Sequence, residues 1–184
     1  VAPSAIAFKN TYPSPRAMTS EDIQKAVNDF AQATRRSLAA GFQVIELHMA
    51  HGYLMHQFLS PLSNTRTDEF GGSLENRMRF PLLVAKAVRA AWPAELPLFA
   101  RISATDWTGG PDELKLLGTK NQPAADGWNL KDAIVLCKEL KKIGIDLIDC
   151  STGGNLPDAK IPVGPGYQVP FAEAVRKEAG VLTG

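Results

Sequence analysis

The sequence contains little cysteine and almost no excess charge. Among its 184 residues are 2 cysteines, and 20 lysines and arginines face 19 acidic residues, a net charge of +1. Without a basic excess, nothing predicts a nucleic-acid partner or an anionic membrane surface. No apolar run approaches the roughly 20 residues that a membrane-spanning helix requires. Cys137 and Cys150 lie in apolar patterns, so we expect buried free thiols and a cytoplasmic location.

Two further signals are missing. The first residues, Val1 to Ser4, contain neither a methionine nor the basic and then apolar pattern of a signal peptide. We therefore expect this start to lie inside a longer chain. The sequence also lacks the G-x-G-x-x-G turn of dinucleotide-binding folds, which argues against a doubly wound nucleotide-binding domain.

What the sequence does contain is an alternation of helical and strand patterns. Loops are predicted at 1–18, 54–72 and 106–128. Helices are predicted from a cap at Thr19 or Ser20 to Gly41, from Ser73 to Trp92, from Asn129 to Gly144, and from Pro170 to Gly180. Strands are predicted at 44–47, 98–102, 145–150 and 181–183. This alternation predicts an α/β protein with a parallel sheet covered by helices.

Polar side chains follow the strands, and the long loops come after strands. The polar residues at the strand ends are His48, His51, Arg101, Ser103, Ser151 and Thr152. Active sites of (β/α)8 barrels are built at this end of the strands, so the pattern favours a barrel. A complete barrel needs about 250 residues, whereas this chain supplies about four βα units. We therefore predict that residues 1–184 form one partial barrel domain whose N-terminal and C-terminal segments are absent.

The closely spaced His48 and His51 allow three interpretations. They can be incidental, or they can bind a metal as part of a hydrolase, because histidine is a common metal ligand. A metal site needs more ligands, however, and the sequence offers only one other histidine, His56, with no cysteine or carboxylate cluster beside the pair. In the third interpretation the two rings are neutral donors that stabilise negative charge developing on a carbonyl oxygen.

Several long motifs resemble the old yellow enzyme family, and specifically its bacterial branch with paired histidines. They are AGFQVIELHMAHGYL at 40–54, FLSPLSNTRTDEFGGSLENRMR at 58–79 and PLFARISATDW at 97–107. APSAI at 2–6 and DCSTGG at 149–154 also fit, so the resemblance covers nearly the whole chain. It implies an FMN-dependent ene-reductase that takes its reducing equivalents from NADPH or NADH and reduces the C=C bond of an enone-type substrate.

The resemblance also implies roles for individual residues. His48 and His51 match the pair that binds the substrate carbonyl oxygen, with His48 also near the flavin. Tyr53 matches a pocket tyrosine that delivers a proton in some family members, although it can equally be a wall residue. Arg101 matches the arginine beside N1 and O2 of the flavin ring. Ser151 and Gly153 are weaker flavin contacts.

The same resemblance places the main phosphate-binding glycines and arginine of the family in late strands that this sequence does not contain. We therefore expect either association with a second copy or completion by the missing barrel segments. The remaining alternatives are a truncated, non-catalytic fragment without flavin and a metal-dependent barrel hydrolase.

Overall fold

The computed structural model describes residues 1–108 and 126–184. Within them the helices are α1 (Ser20–Ala39), α2 (Leu54–Leu59), α3 (Leu74–Ala91), α4 (Leu130–Ile143) and α5 (Val169–Ala179), and the strands are β1 (Ile45–Met49), β2 (Leu98–Ser103), β3 (Leu147–Ser151) and β4 (Leu182–Thr183). No helix in this described part is long and apolar enough to cross a bilayer.

The strands form one parallel sheet in the order β1-β2-β3-β4. Each strand follows its predecessor along the chain after at least one helix, which is the connection pattern of a βα barrel. The register sets Glu46 beside Phe99 and His48 beside Arg101. The predicted α/β class, with a parallel sheet of about half a barrel, is confirmed.

One face of the sheet packs against the helices and forms the core. Leu98, Ala100 and Ile102 on β2 are fully buried there, as is Ile148 on β3. The opposite face carries the alternate residues, because successive side chains of a strand point to opposite sides. This second face corresponds to the inside of the barrel, and it holds the polar residues discussed below.

The helix ends obey the sequence signals. Thr19 begins α1 through a complete capping box with Asp22, in which each side chain binds the other residue's backbone N–H. The side chain of Asn129 accepts from two backbone N–H groups at the start of α4, which ends at Gly144 with a φ of 100°. Pro170 lies in the first turn of α5 as predicted.

The structure corrects several boundaries. The stretch predicted as a loop at 54–72 begins with helix α2, whose Met55, Phe58 and Leu59 are buried. β1 continues through His48 to Met49, rather than ending before His48, because both residues pair with β2, opposite Arg101 and Ile102. Most of the loop predicted at 106–128 lies outside the described residues.

Candidate active site

The site is built around His48 on β1. In the register of the sheet His48 lies beside Arg101 on β2, and Arg101 lies beside Asp149 on β3. The three side chains therefore form a row across the face that the helices do not cover. They stand near the carboxyl ends of the strands, where barrel enzymes carry their reacting groups.

The rings of His48, His51 and Tyr53 lie together. The centroids of the two imidazoles are 5.2 Å apart with the ring planes at 83°, and the Tyr53 ring centroid is 5.0 Å from that of His48. Tyr53 is 62% exposed, so a ligand can reach this residue. The strand end and the turn after it thus gather three polar rings on one surface.

Sharp backbone geometry places His51 beside β1. His51 has a φ of 59°, in the left-handed region that non-glycine residues rarely adopt. Its backbone N–H donates to Ser103 Oγ at 3.0 Å, and Ser103 in turn donates to the carbonyl oxygen of Gly153 at 2.8 Å. The turn is therefore tied to the ends of β2 and β3.

Side-chain hydrogen bonds orient both imidazoles. His48 Nδ1 accepts from the backbone N–H of Ala50 at 3.3 Å, which places the His48 ring proton on Nε2. His51 Nε2 lies 2.6 Å from Ser151 Oγ, and Gln168 donates to the same hydroxyl oxygen at 3.2 Å. Ser151 thus connects β3 and the loop before α5 to the histidine pair.

Electrostatics keeps the pair uncharged. Desolvation lowers the pKa of His48 and of His51 below the usual 6.5, and the positive charge of Arg101 lowers both further. Neutral imidazole carries one N–H donor and one acceptor, so each ring can donate a single hydrogen bond at neutral pH.

Arg101 makes an ion pair without using its whole guanidinium. Its Nε lies 3.2 Å from Asp149 Oδ2, yet the angle is too bent for a hydrogen bond. The two side chains are 41% and 32% exposed. Arg101 therefore presents positive charge to the open face of the sheet while Asp149 holds it in place.

The backbone after β3 bends close to the site. Gly153 is buried with a φ of 70°, and a Cβ there would lie 2.9 Å from Ile161 Cδ1. Its N–H donates to the carbonyl oxygen of Thr105 at 2.8 Å. Glycine is needed at this position because a side chain would be both strained and crowded.

A cavity of about 600 Å³ opens beside His51 and Tyr53. Residues from three separate segments line it, including Phe8, Tyr12, Gln57, Leu62, Asn155 and Leu156. The N-terminal segment that supplies Phe8 and Tyr12 was predicted only as a loop, although its two aromatic side chains were a readable signal. The cavity has the size and the mostly apolar lining of a small-molecule site.

Sequence reasoning also missed a buried polar cluster next to this turn. His56 was noted only as a third histidine, and Asp106 only as the start of a loop, yet both side chains are fully buried and lie 3.1 Å apart. The described residues contain no group of three or more His, Cys, Asp or Glu side chains that could hold a metal ion.

Comparison with known proteins decides the family. The sequence profile of the NADH:flavin oxidoreductase / NADH oxidase family matches residues 2–171. The chain belongs to this family. The resemblance drawn from the motifs at 40–54, 58–79 and 97–107 is thereby confirmed, and the family is one of oxidoreductases rather than metal-dependent hydrolases.

Members of the family are similar over the whole chain. An NADPH dehydrogenase of Geobacillus thermodenitrificans is 49% identical over 184 residues, which are 100% of this chain and 48% of that protein. An NADPH dehydrogenase of Bacillus subtilis is 47% identical over 183 residues, again 48% of its length. The chain therefore spans about half the length of the curated relatives it matches.

Solved structures agree on the fold. Morphinone reductase in complex with tetrahydroNAD superposes with a TM-score of 0.71 at 26% identity, covering 99% of this chain and 47% of that one. A 2-naphthoyl-CoA reductase complex superposes with a TM-score of 0.79 at 30% identity, covering 96% and 25%. The four-stranded sheet is thus part of the barrel of this flavin oxidoreductase family.

Proposed function

We propose that this chain supplies the catalytic half of an FMN-dependent oxidoreductase that reduces the C=C bond of α,β-unsaturated carbonyl compounds with NADPH or NADH. The observation that carries the proposal is the His48–His51 pair, whose ring centroids lie 5.2 Å apart, beside Arg101 at the carboxyl edge of a barrel sheet. The motifs and the family membership support it.

The residues present fit one side of a flavin. Arg101 offers a guanidinium whose Nε has no hydrogen-bond partner among the described residues, and a fixed cation there would stabilise an anionic isoalloxazine. At the same edge of the sheet, Gly153 contributes backbone without a side chain and Ser151 contributes a hydroxyl group. When bound, FMN would supply the hydride that it has received from NADPH or NADH.

The histidines would act on the substrate carbonyl. His48 carries its proton on Nε2 and can donate it to the oxygen. In the tautomer in which Ser151 donates to His51 Nε2, His51 donates from Nδ1. Hydride addition at Cβ pushes negative charge onto this oxygen, so two preorganised donors stabilise the transition state more than the ground state.

Tyr53 would complete the reduction by protonating Cα. A phenolic hydroxyl group can donate its proton, so Tyr53 can serve as a general acid. The Tyr53 ring lies against His48 and lines the cavity, which supports this role. The apolar walls of this cavity suit the hydrocarbon part of an enone.

Residues 1–184 would form a single partial-barrel domain that needs a partner to close it. The open sheet face carries apolar side chains, among them Phe99, Leu147 and Leu182, in one register row. A second copy of the chain or the missing barrel segments would cover them. The free buried thiols of Cys137 and Cys150 support a reducing, cytoplasmic location.

The deciding experiment mixes the protein with FMN, removes free flavin by desalting, and records the visible spectrum. A retained flavin band, followed by enone-dependent oxidation of NADPH, is the expected result. His51→Ala should then slow enone reduction about 10²–10³-fold while the flavin band is kept. Arg36→Met, an arginine change in the last turn of α1, serves as the control with unchanged rate.

A colourless protein would refute the proposal for this chain and favour the flavin-free fragment. A flavin band with no dependence of the rate on His51 would refute the assigned role of the histidine pair.

A further inference from the structure

Next to the histidine pair lies a buried polar cluster that the proposed chemistry does not use. His56 in α2 and Asp106 after β2 are each 0% exposed in their side chains, and His56 Nε2 lies 3.1 Å from Asp106 Oδ1. The contact is bent away from hydrogen-bond geometry, so it is mainly an electrostatic one. Burying a carboxylate is costly unless other groups compensate it.

The other oxygen of Asp106 is well satisfied. Asp106 Oδ2 accepts from Ser60 Oγ at 2.5 Å and from the backbone N–H of Trp128 at 2.9 Å. The carboxylate is thus anchored by the end of α2 and by the residue before the cap of α4. This fixed anion lies beside the Nε2 edge of the His56 ring.

The opposite edge of the same ring faces the active-site turn. Gly52 donates its backbone N–H to His56 Nδ1 at 2.9 Å, so Nδ1 is the acceptor and the ring proton lies on Nε2, the nitrogen beside Asp106. The neighbouring Gln57 donates from Nε2 to the Gly52 carbonyl oxygen at 2.6 Å. Two consecutive side chains of α2 therefore hold the peptide groups on both sides of Gly52.

This turn requires such support. His51 has a φ of 59°, which is strained for a residue with a Cβ, and such strain persists only where the surroundings determine it. Gly52 continues the turn with a φ of 72°, which glycine adopts readily. Gly52 also lies against the backbone of Gly154, where an added Cβ would come within 2.2 Å of the carbonyl oxygen. The imidazole of His51 and the ring of Tyr53 flank Gly52, so any rotation of its peptides redirects both.

We propose that His56 is a positioning residue: acting through the Gly52 N–H, with Asp106 fixing its tautomer, it sets the direction in which His51 and Tyr53 point. Gln57 assists from the other side of the same glycine. The chemical part of this inference rests on the proposed function, whereas the structural part concerns the turn alone.

The test compares His56→Asn with His56→Leu. The two replacement side chains have nearly the same shape, but only asparagine retains an acceptor that can reach the Gly52 N–H. We expect hydrogen exchange of the Gly52 amide to be about fivefold faster or more in His56→Leu and close to the parent in His56→Asn. The rate of enone reduction should fall about 10–100-fold in His56→Leu and recover in His56→Asn.

Ser60→Ala is the matched control for loss of the buried network. It removes one partner of Asp106 without touching the turn, so the melting temperature should fall while Gly52 exchange and the enone rate per folded molecule stay unchanged. Equal Gly52 exchange in His56→Leu and the parent would overturn the proposal. Equal impairment of both His56 variants, matching their loss of stability, would also overturn it.

Nitrogen NMR of the His56 ring measures its tautomer in the unmodified protein. This test does not depend on whether any variant folds. The proposal requires the tautomer with the proton on Nε2, and observation of the Nδ1-protonated form would overturn it. Both this measurement and amide exchange are independent of catalysis. A parent protein that fails to reduce enones would therefore refute the proposed function without deciding the role of His56.

Discussion

At the scale of single residues, the state of the histidine pair is controlled by a neighbour on the next strand. Arg101 lies beside His48 in the sheet register, and it follows desolvation as the second cause that lowers the pKa of both His48 and His51. A cation next to an imidazole disfavours the imidazolium form. The arginine thus serves the proposed chemistry twice, once toward the flavin and once by keeping two donors neutral.

Replacing Arg101 with methionine should raise the pKa of both histidines toward 6.5, because the repulsive charge is gone while the desolvation stays. In the parent, protonation of both rings should occur below pH 6.5. The linked contribution to stability is complete above that pH and is lost as the pH falls through the lowered values, since the unfolded chain binds the protons first. Proton NMR titration of the imidazole Cε1–H signals measures the shift directly.

Arg36→Met is the matched control for this titration, because it removes an equal charge at the far end of α1. Its histidine titrations should coincide with those of the parent. Unchanged midpoints in Arg101→Met would show that the sheet register does not couple these side chains.

At the scale of elements, the sequence predicted what local signals specify. Helix ends are predicted by residues that cap them through short-range hydrogen bonds or backbone conformation. All three such residues are caps in the structure: Thr19, Asn129 and Gly144. Helix α2 has no such signal, since its N-cap Tyr53 makes no side-chain cap bond and its stability comes from buried apolar side chains. Helix α2 is therefore stabilised by tertiary packing, and the local sequence does not predict it.

The candidate site divides in the same way. The sequence predicts that His48, His51 and Tyr53 share a site because they are close in the chain. It predicts Arg101 at the same site because parallel strands align their carboxyl ends. The partners that fix their geometry could not be predicted. Ser151 contacts His51 across 100 residues of sequence, and His56 in α2 contacts Asp106 after β2, with helix α3 between them in the sequence. Contacts of this kind depend on how whole elements dock.

A stability prediction for the turn between β1 and α2 compares two glycine substitutions, one in this turn and one outside it. Gly52→Ala and Gly41→Ala both place a Cβ on a left-handed glycine, at φ of 72° and 86°, which costs about 1–2 kcal/mol of stability. At Gly52 the new atom also meets backbone, with the Gly154 carbonyl oxygen 2.2 Å away, whereas at Gly41 no atom of residues 1–108 or 126–184 lies within 4 Å of it. Gly52→Ala should therefore lose a further ~1–3 kcal/mol.

Urea unfolding at one fixed protein concentration measures this difference, since association would otherwise alter apparent stability. Equal losses for the two glycines would mean that the β1–α2 turn moves away from Gly154 without cost. That result would also weaken the case that the turn is held in one conformation.

At the scale of the whole molecule, the face opposite the helices has two kinds of row. His48, Arg101 and Asp149 form a polar row near the carboxyl edge. Two residues earlier on β2 and β3, Phe99, Leu147 and Leu182 share a register row whose member on β1 is Glu46, and Leu182 is 56% exposed. Exposed apolar side chains beside free strand edges favour association, because both apolar surface and unpaired backbone groups then find partners.

We therefore expect the protein to sediment as an oligomer and Leu182→Lys to shift it toward monomer, since a charge on this row resists burial in an interface. Val135→Lys is the matched control: Val135 is 39% exposed on α4, whose buried side chains face the sheet from the other side, and it should leave the sedimentation profile unchanged. Sedimentation velocity over a range of protein concentrations measures both. A parent protein that stays a stable monomer throughout would contradict association by this face, whereas equal effects of the two lysines would move the contact to the helical surface.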